Sequence, residues 1–363
     1  IGFHCKLVLY FIRDSFKGFY LFTLNFSLCI FEIMTPYHPE DTKMKKIIFI
    51  IAIVAAFSAC KKSNNNTQTT PPAPPPAADS LMSWTKSTKF FNSAQDIWFT
   101  SSGTGFLLDE TSIYSSPDLG VTWTMIPNTG GANGFNLQFL NDSVGFAQGS
   151  STLAETMDGG KTWSFKKLPS SKVLYSQFVS EYTGFYADED GGISKTTDGG
   201  NTWNHVLGYQ GTGESFPFYF IDSLRGFSMA DGNFSKTTDG GMHWQSIHPG
   251  LVPTTNTGHF YKMQMFDTLS GFCGTSVGLL KTIDGGITWT NSLTRASTFT
   301  IFQFADRNNG YAASQSAIYK TTDGGQTWSL SCSLGTDSFS GIHLLDINHG
   351  WACTFGGYVL TLN

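Results

Sequence analysis

The segment Thr321-Thr322-Asp323-Gly324-Gly325-Gln326-Thr327-Trp328 decides the fold, because its pattern occurs six times in the chain. The consensus is Ser/Thr-x-Asp-x-Gly-x-Thr-Trp, and His243 replaces the threonine once. The tryptophans that end successive copies are 40, 40, 41, 45 and 39 residues apart. A repeat of about forty residues with glycine-rich turns is the period of a four-stranded propeller blade.

A glycine followed by an aromatic residue precedes each of these boxes, and one more such pair follows the last box. The pairs are Gly105-Phe106, Gly145-Phe146, Gly184-Phe185, Gly226-Phe227, Gly271-Phe272, Gly310-Tyr311 and Gly350-Trp351. The seventh unit lacks a tryptophan strand, and the segment 81–85 around Trp84 resembles one. We therefore predict an all-β fold over residues 81–363. It is a seven-bladed β-propeller of four-stranded blades, and the N-terminal strand around Trp84 completes the last blade and closes the ring.

The box is predicted to be the hairpin between the third and fourth strands of each blade. In the second unit we place strand a at 134–140, strand b at 145–148, strand c at 152–156 and strand d at 162–167. The aspartate of a box can accept backbone N–H bonds of its own turn, the glycine permits a positive φ, and the tryptophan packs between blades. We therefore assign structural roles to the box residues Asp118, Asp158, Asp198, Asp239, Asp284, Asp323, Trp123, Trp163, Trp203, Trp244, Trp289 and Trp328.

Residues 44–60 have the pattern of a bacterial lipoprotein signal. Met44-Lys45-Lys46 is followed by an apolar run at 47–57 and then by Ser58-Ala59-Cys60. The run is shorter than the roughly 20 residues of a membrane-spanning helix. We expect lipidation of Cys60 and a lipid-anchored protein in the bacterial cell envelope, on a side that the sequence does not specify. An ordinary secretory signal with a chance cysteine is the alternative.

Two further segments are expected to lie outside the folded domain. Residues 1–43 precede the signal and are read as an over-extended gene start, not part of the mature protein. A membrane segment at 7–33 is the alternative, but Arg13, Asp14 and Lys17 interrupt it. Residues 61–80 form an Asn/Pro-rich linker that favours an extended spacer of about 3.1 Å per residue.

Composition excludes several classes of function. The net charge is −5 and the folded part has no run of basic residues, which disfavours nucleic-acid binding. The folded part contains three cysteines, Cys273, Cys332 and Cys353, without CxxC spacing, so we predict neither a metal site nor a disulfide framework. No cofactor is expected, and we expect a monomer.

The boxes resemble the BNR/Asp-box repeats of bacterial sialidases, xyloglucanases, the sortilin ectodomain and the photosystem II stability/assembly factor group. Gly310-Tyr311-Ala312 followed by Lys320-Thr321-Thr322-Asp323-Gly324-Gly325 looks most like the last group. The resemblance implies the propeller fold over 81–363. It does not imply one activity, because boxes recur in proteins of unrelated function.

Neither hydrolase reading of the resemblance finds its residues. A sialidase needs three convergent arginines, whereas Arg225 and Arg307 fall in a–b turns and Arg295 falls in a d–a connection, on opposite sides of the ring. A glycosidase needs two carboxylates about 5–9.5 Å apart in a cleft. The related xyloglucanases form that cleft between two propellers, and this chain has one.

One side of the ring collects acidic turns and long loops. The b–c turns carry Asp109-Glu110, Asp188-Glu189-Asp190 and Asp231, and the longest d–a connections carry Tyr209, His248 and His259. Ordinary turn chemistry explains these acids. The functional alternatives are a cation site, a surface for a basic partner, or a catalytic pair. If the protein has a recognition surface, we predict it on these loops, because binding loops concentrate on one side of a rigid scaffold.

A ring of mostly amide side chains lies seven residues before the Gly-aromatic pairs. Its members are Trp98, Gln138, Gln177, Tyr219, Gln264, Gln303 and His343. Their sequence neighbours are mostly apolar, so the ring points to the other face of strand a. We predict that the amides bond neighbouring backbone, although a sugar or peptide site remains open.

The sequence thus predicts a non-enzymatic, lipid-anchored propeller that binds an envelope protein as an assembly or scaffold module. The alternative is a polysaccharide-active hydrolase or a carbohydrate-binding propeller. The partner is therefore an envelope protein or a glycan.

Overall fold

The computed structural model divides into two compact units, Ile1–Pro75 and Pro76–Asn363. The described residues are 9–13, 19–26 and 29–36 for the backbone of the first unit, and 83–129, 134–207, 217–230, 233–247, 260–276, 278–294 and 298–362 in the second. The predicted signal at 44–60 with Cys60 and the linker at 61–80 lie outside these residues. No helix in the described part of the chain is long and apolar enough to span a membrane.

The first unit contains a three-stranded antiparallel sheet. Its order is β1 (Leu9–Arg13), β2 (Phe19–Phe26) and β3 (Cys29–Pro36), and each strand pairs with the next along the chain.

The second unit contains seven four-stranded antiparallel sheets, which confirms the predicted seven-bladed propeller. Blade 1 consists of β5 (Asp96–Phe99), β6 (Gly105–Leu108), β7 (Ile113–Ser116) and β8 (Thr124–Met125). Blade 2 consists of β9 (Gly134–Phe139), β10 (Gly145–Gly149), β11 (Thr152–Thr156) and β12 (Ser164–Lys167). Blade 3 consists of β13 (Val173–Phe178), β14 (Gly184–Asp188), β15 (Ile193–Thr196) and β16 (Asn204–Leu207). Blades 4 and 5 are β17 (Phe218–Phe220), β18 (Gly226–Ala230), β19 (Asn233–Thr237), β20 (Gln245–Ile247); and β21 (Phe260–Met265), β22 (Gly271–Thr275), β23 (Gly278–Thr282), β24 (Thr290–Thr294). Blades 6 and 7 are β25 (Ile301–Phe304), β26 (Gly310–Ala313), β27 (Ala317–Thr321), β28 (Ser329–Ser333); and β29 (Phe339–Leu344), β30 (Gly350–Thr354), β31 (Val359–Leu362), β4 (Trp84–Lys86).

The strand bounds of the second blade differ from the prediction mainly at strand d. The sequence predicts a start at Thr162, whereas β12 begins at Ser164. Thr162 belongs to the box turn, because its N–H and hydroxyl both donate to the Asp158 carboxylate.

The ring closes as predicted, with the N-terminal strand completing the last blade. β4 pairs antiparallel with β31 through Lys86 opposite Leu360 and Trp84 opposite Leu362. The Trp84 indole N–H donates to Ser331 Oγ of blade 6 at 3.1 Å, and its ring meets Tyr311 edge-on with centroids 5.6 Å apart. The borrowed strand therefore supplies both the fourth strand and the tryptophan that the last unit lacks.

Aromatic stacks between neighbouring blades explain the Gly-aromatic pairs. The aromatic residue of strand b stacks on a strand-a ring of the next blade: Phe146 on Phe178 with centroids 3.6 Å apart, and Phe185 on Phe220 at 3.4 Å. The glycine of the pair leaves room for the strand-a ring of its own blade, on which the preceding blade stacks its strand-b aromatic residue. A Cβ on Gly184 would lie 2.6 Å from Phe178 Cε1.

Substituting Gly184 by alanine is therefore expected to destabilise the propeller by about 1–3 kcal/mol, because the added methyl group overpacks a stacked pair. Chemical denaturation of the full chain measures the loss. In a Phe178→Leu background the same alanine should cost much less, since the ring that it strikes is gone. An equal cost in both backgrounds would refute the steric explanation.

Candidate functional site

Each box aspartate is bound within its own turn. Asp158 accepts the Thr162 N–H at 2.9 Å and the Thr162 hydroxyl at 2.6 Å, and it also accepts the Thr156 hydroxyl at 2.9 Å. The Thr156 hydroxyl in turn accepts the Gly160 N–H at 2.8 Å. These bonds, led by that of the Thr162 hydroxyl, lower the pKa of Asp158 to about 2.

The same arrangement recurs in the other boxes, where hydrogen bonds to residue i+4 fix the aspartate. The remaining aspartates so bound are Asp118, Asp198, Asp239, Asp284 and Asp323. In the variant box, His243 Nδ1 lies 2.7 Å from Asp239 Oδ2 and replaces the threonine hydroxyl. The six carboxylates therefore serve separate turns and do not converge on one ligand.

The box tryptophans lie between blades, and most donate their indole N–H locally. Trp123, Trp163 and Trp203 donate to the box carbonyls of Gly120, Gly160 and Gly200 at 3.1–3.2 Å. Trp244 and Trp328 instead donate to Val206 O and Ser292 Oγ of the preceding blade. Within the described part of the chain, the N–H of the buried Trp289 has no hydrogen-bond partner.

Lysines before the boxes connect neighbouring blades on the same side of the ring. Lys281 Nζ donates to Gly324 O at 2.6 Å, and Lys195 Nζ donates to Gly240 O at 3.3 Å. The lysine of the Lys-Thr-x-Asp-Gly-Gly pattern thus satisfies a box carbonyl of the following blade.

The predicted acidic surface is described in part. Asp109 accepts the backbone N–H groups of Thr111 and Ser112, and the buried Asp188 accepts that of Gly192. Glu189 pairs with Lys172 at 3.2 Å, while Glu110 and Asp190 are exposed. Asp231, Tyr209, His248 and His259 lie outside the described residues.

The described arginines pair with acids in the a–b turns. Arg225 binds Asp222 at 2.6 Å, and Arg307 binds Asp267 at 2.5 Å, while Arg295 lies outside the described residues. Both described guanidinium groups therefore face acids of the a–b turns, on the side opposite the d–a connections.

The glutamines of the ring bind backbone of the next blade, as predicted. Gln177 donates to Phe220 O at 3.0 Å and accepts the Phe220 N–H at 2.8 Å. The same pair of hydrogen bonds joins Gln138 to Phe178, Gln264 to Phe304 and Gln303 to Leu344. These amides cover the inner edge of strand a, whose N–H and C=O groups have no fifth strand to pair with.

His343 occupies the equivalent position in blade 7. It is buried, packs against Trp98 with tilted rings whose centroids are 4.2 Å apart, and forms a hydrogen bond to the Phe99 backbone. Burial, with a smaller contribution from the Lys262 charge, lowers its pKa to about 3. The imidazole of His343 is therefore neutral at physiological pH.

The strand-a side chains of the seven blades line a central channel, and this channel contains a charged pair that sequence reasoning missed. Asp96 begins β5 in blade 1, and Lys262 lies in β21 of blade 5. Burial raises the pKa of Asp96 to about 6, although Lys262 and two backbone N–H groups oppose that rise. Burial likewise lowers the pKa of Lys262, and Asp96 opposes that change.

A cavity lies at each end of this channel. On the side of the d–a connections, a space of about 170 Å³ is lined by Asp96, Lys262, Tyr175, Tyr261 and Phe135, among others. On the side of the a–b turns, an open space of about 760 Å³ is lined by Trp98, His343 and Asp142, among others. Burial raises the pKa of Tyr175 above its usual value, so this hydroxyl stays protonated.

The part of the chain that the structure describes contains no cluster of metal-ligating side chains. No three His, Cys, Asp or Glu side chains there are grouped to hold an ion. Cys273 and Cys353 are buried, Cys332 is half-buried, and all three are free thiols.

Sequence comparison identifies the type of propeller. The family model described as "Photosynthesis system II assembly factor YCF48" matches residues 119–252. The chain is a BNR-type propeller similar to these assembly factors. No curated protein sequence matches it.

Solved structures share the fold of this BNR-type propeller. YCF48 bound to D1 peptide has a TM-score of 0.62 at 17% identity, over 78% of this chain and 97% of that chain. YCF48 from Cyanidioschyzon merolae has a TM-score of 0.59 at 17% identity, over 77% and 98% of the two chains. The GH74 xyloglucanase from Xanthomonas campestris has a TM-score of 0.60 at 12% identity, over 78% of this chain and 54% of that chain.

The signal that would have found Asp96 and Lys262 is their register in the BNR-type propeller. Asp96 stands two residues before Trp98, and Lys262 stands two residues before Gln264. Side chains two positions apart on a strand point to the same face, so both share the face of the amide ring. The other members of this second ring are Asn136, Tyr175, Pro217, Ile301 and Gly341. Because these residue types do not repeat, a search for repeats passes over them.

Proposed function

We propose that this chain is a lipid-anchored module of the bacterial cell envelope that binds another protein without catalysis. Cys60 carries the anchor, and the linker at 61–80 holds the ring away from the membrane. The binding surface is formed by the b–c turns and the long d–a connections on one side of the ring, where Glu110, Glu189 and Asp190 are exposed.

The observation that carries this proposal is the isolation of the carboxylates. Among the described residues, the cavity on the d–a side is lined by one carboxylate, Asp96, and that on the a–b side by one, Asp142. Asp142 accepts the Ser101 hydroxyl at 2.7 Å. Hydrolysis of a glycoside requires two facing carboxylates in one cleft, so a binding role fits these cavities better.

The comparison with YCF48 supports a protein partner. That propeller is described with a D1 peptide bound, and the alignment covers nearly its whole length. A similar ring with exposed acids at Glu110, Glu189 and Asp190 suits a partner with basic side chains. Asp188 contributes less, because it is buried and fixed by the Gly192 N–H.

Affinity capture after crosslinking, with the full lipidated protein in its native envelope, tests this function. We expect one enriched partner, identified by mass spectrometry. The double variant Glu189→Gln/Asp190→Asn should reduce its yield by about tenfold, because two exposed charges on the binding side are lost. Glu181→Gln neutralises a carboxylate of an a–b turn on the opposite side and should leave the yield unchanged.

A polysaccharide-active or carbohydrate-binding role is the second candidate, since Phe135 is 51% exposed beside Asp96 and the fold is shared with a xyloglucanase. Capture without any enriched protein, together with release of reducing ends from cell-wall or plant polysaccharides, would replace the protein-binding proposal with this one. Equal capture by wild type and the double variant would move the surface away from the acidic turns.

A further inference from the structure

Two opposite charges face one cavity without touching each other. Asp96 and Lys262 both line the space of about 170 Å³ on the d–a side, and both also line the channel below it. They interact electrostatically, yet no ion pair within 4.0 Å joins them. The cavity that both side chains line is therefore the space in which one bound group can meet both charges.

Asp96 is held rigidly in place. Its Oδ1 accepts the Ile97 N–H at 2.9 Å, and its Oδ2 accepts the Leu137 N–H of the next blade at 2.8 Å. A carboxylate has about four lone-pair sites, so it can accept further bonds from the cavity. A Cβ at Gly341 would lie 2.7 Å from Oδ1, which explains why the smallest residue stands there.

Lys262 is the complementary group. Among the described residues its ammonium has no hydrogen-bond acceptor, and it lies 5.9 Å from the centroid of the Phe302 ring. A half-buried ammonium without an acceptor forms a strong charge-assisted hydrogen bond when an anionic acceptor binds beside it.

The walls and size limit the ligand. Phe135 and Tyr175 provide aromatic surface, and Leu174 and Ile342 provide aliphatic surface. The volume of about 170 Å³ is about ten times what one water molecule needs. A simple anion would satisfy Lys262 but approach the negative Asp96, and a simple cation would satisfy Asp96 but approach Lys262. Only a ligand that carries both charges close together matches both groups.

We propose that this channel site binds a free apolar α-amino acid by its zwitterionic head group. The ligand ammonium donates to Asp96, the ligand carboxylate accepts from Lys262, and the side chain lies against Phe135 and Tyr175. This site is distinct from the acidic turns proposed to hold a protein partner, and either one can exist without the other.

Isothermal titration calorimetry of the full-length protein with L-leucine and L-phenylalanine tests the site. We expect saturable binding at one site per chain. N-acetyl-L-leucine lacks the ammonium and L-leucinamide lacks the carboxylate, so each should bind at least about tenfold more weakly. Because these comparisons use the unchanged protein, they do not depend on the folding of any variant.

Variants locate the binding. Lys262→Met and Asp96→Asn should each weaken L-leucine binding by about tenfold or more, with circular dichroism confirming the fold. Lys172→Met is the matched control, because this lysine lies on the same side but pairs with Glu189 in solvent. Equal affinity for L-leucine and both analogues would overturn the proposal, as would no heat of binding at about 10 mM ligand.

Discussion

Replacing Gln177 with methionine is expected to lower the free energy of unfolding by about 2–6 kcal/mol, because two buried backbone groups lose their partner. Gln177 is 8% exposed and bonds both the N–H and the C=O of Phe220. Methionine has a similar volume and keeps most of the packing. The loss therefore reports the desolvated Phe220 groups, at about 1–3 kcal/mol each. Urea denaturation of the full chain measures it.

Gln303→Met is the matched control for this effect. Gln303 is only half-buried, and its bond to Leu344 O is longer, at 3.4 Å. The variant should lose clearly less stability than Gln177→Met, because water in the open channel mouth can reach the freed groups. Equal losses at the two positions would show that the amides fill space and do not secure the strand edge.

The amide ring shows how far the sequence reaches. The constant spacing of seven residues before each Gly-aromatic pair located the ring, and the apolar neighbours of its members gave their orientation. The partners followed from general chemistry, because an inner strand edge needs donors and acceptors. The closure of the ring by Trp84–Lys86 was predictable for a similar reason: seven pairs, six boxes and one stray tryptophan leave one consistent arrangement.

The channel site could not be predicted in the same way. The second ring contains a different residue in every blade, from Asp96 to Lys262 to Gly341, so it carries no repeat signal. Only the closed ring brings residues 166 positions apart, Asp96 and Lys262, to one cavity. The acidic turns show the opposite limit, because the sequence found Asp188 but not that its side chain turns inward to the Gly192 N–H.

Substituting His343 by glutamine is expected to make the propeller more acid-resistant than the wild type. His343 is 4% exposed, and its pKa falls from 6.5 to about 3 in the folded chain, chiefly because of burial. Below pH 6.5 the unfolded chain therefore binds a proton that the folded chain refuses. The stability present above pH 6.5 is lost as the pH falls towards 3, by about 3 kcal/mol at pH 4.5.

Asp96 hides this loss in the wild type. Its pKa rises from 3.8 to about 6 on folding, so below pH 6 the folded chain takes up a proton before the unfolded chain does. This uptake adds about 2 kcal/mol of stability at pH 4.5 and offsets most of the histidine effect. The wild-type stability should consequently change little between pH 6 and pH 4.5, although two buried groups titrate in opposite senses.

Urea denaturation at pH 8 and pH 4.5 separates the two groups. Between these pH values, the stability of His343→Gln relative to wild type should rise by about 3 kcal/mol, since glutamine does not titrate and can bond Phe99 as the other ring amides bond their partners. Asp96→Asn should show the opposite change, a relative loss of about 2 kcal/mol at the lower pH. A His343→Gln difference that is independent of pH would mean that the buried imidazole is protonated as easily as in the unfolded chain, and that burial in the channel does not govern its charge.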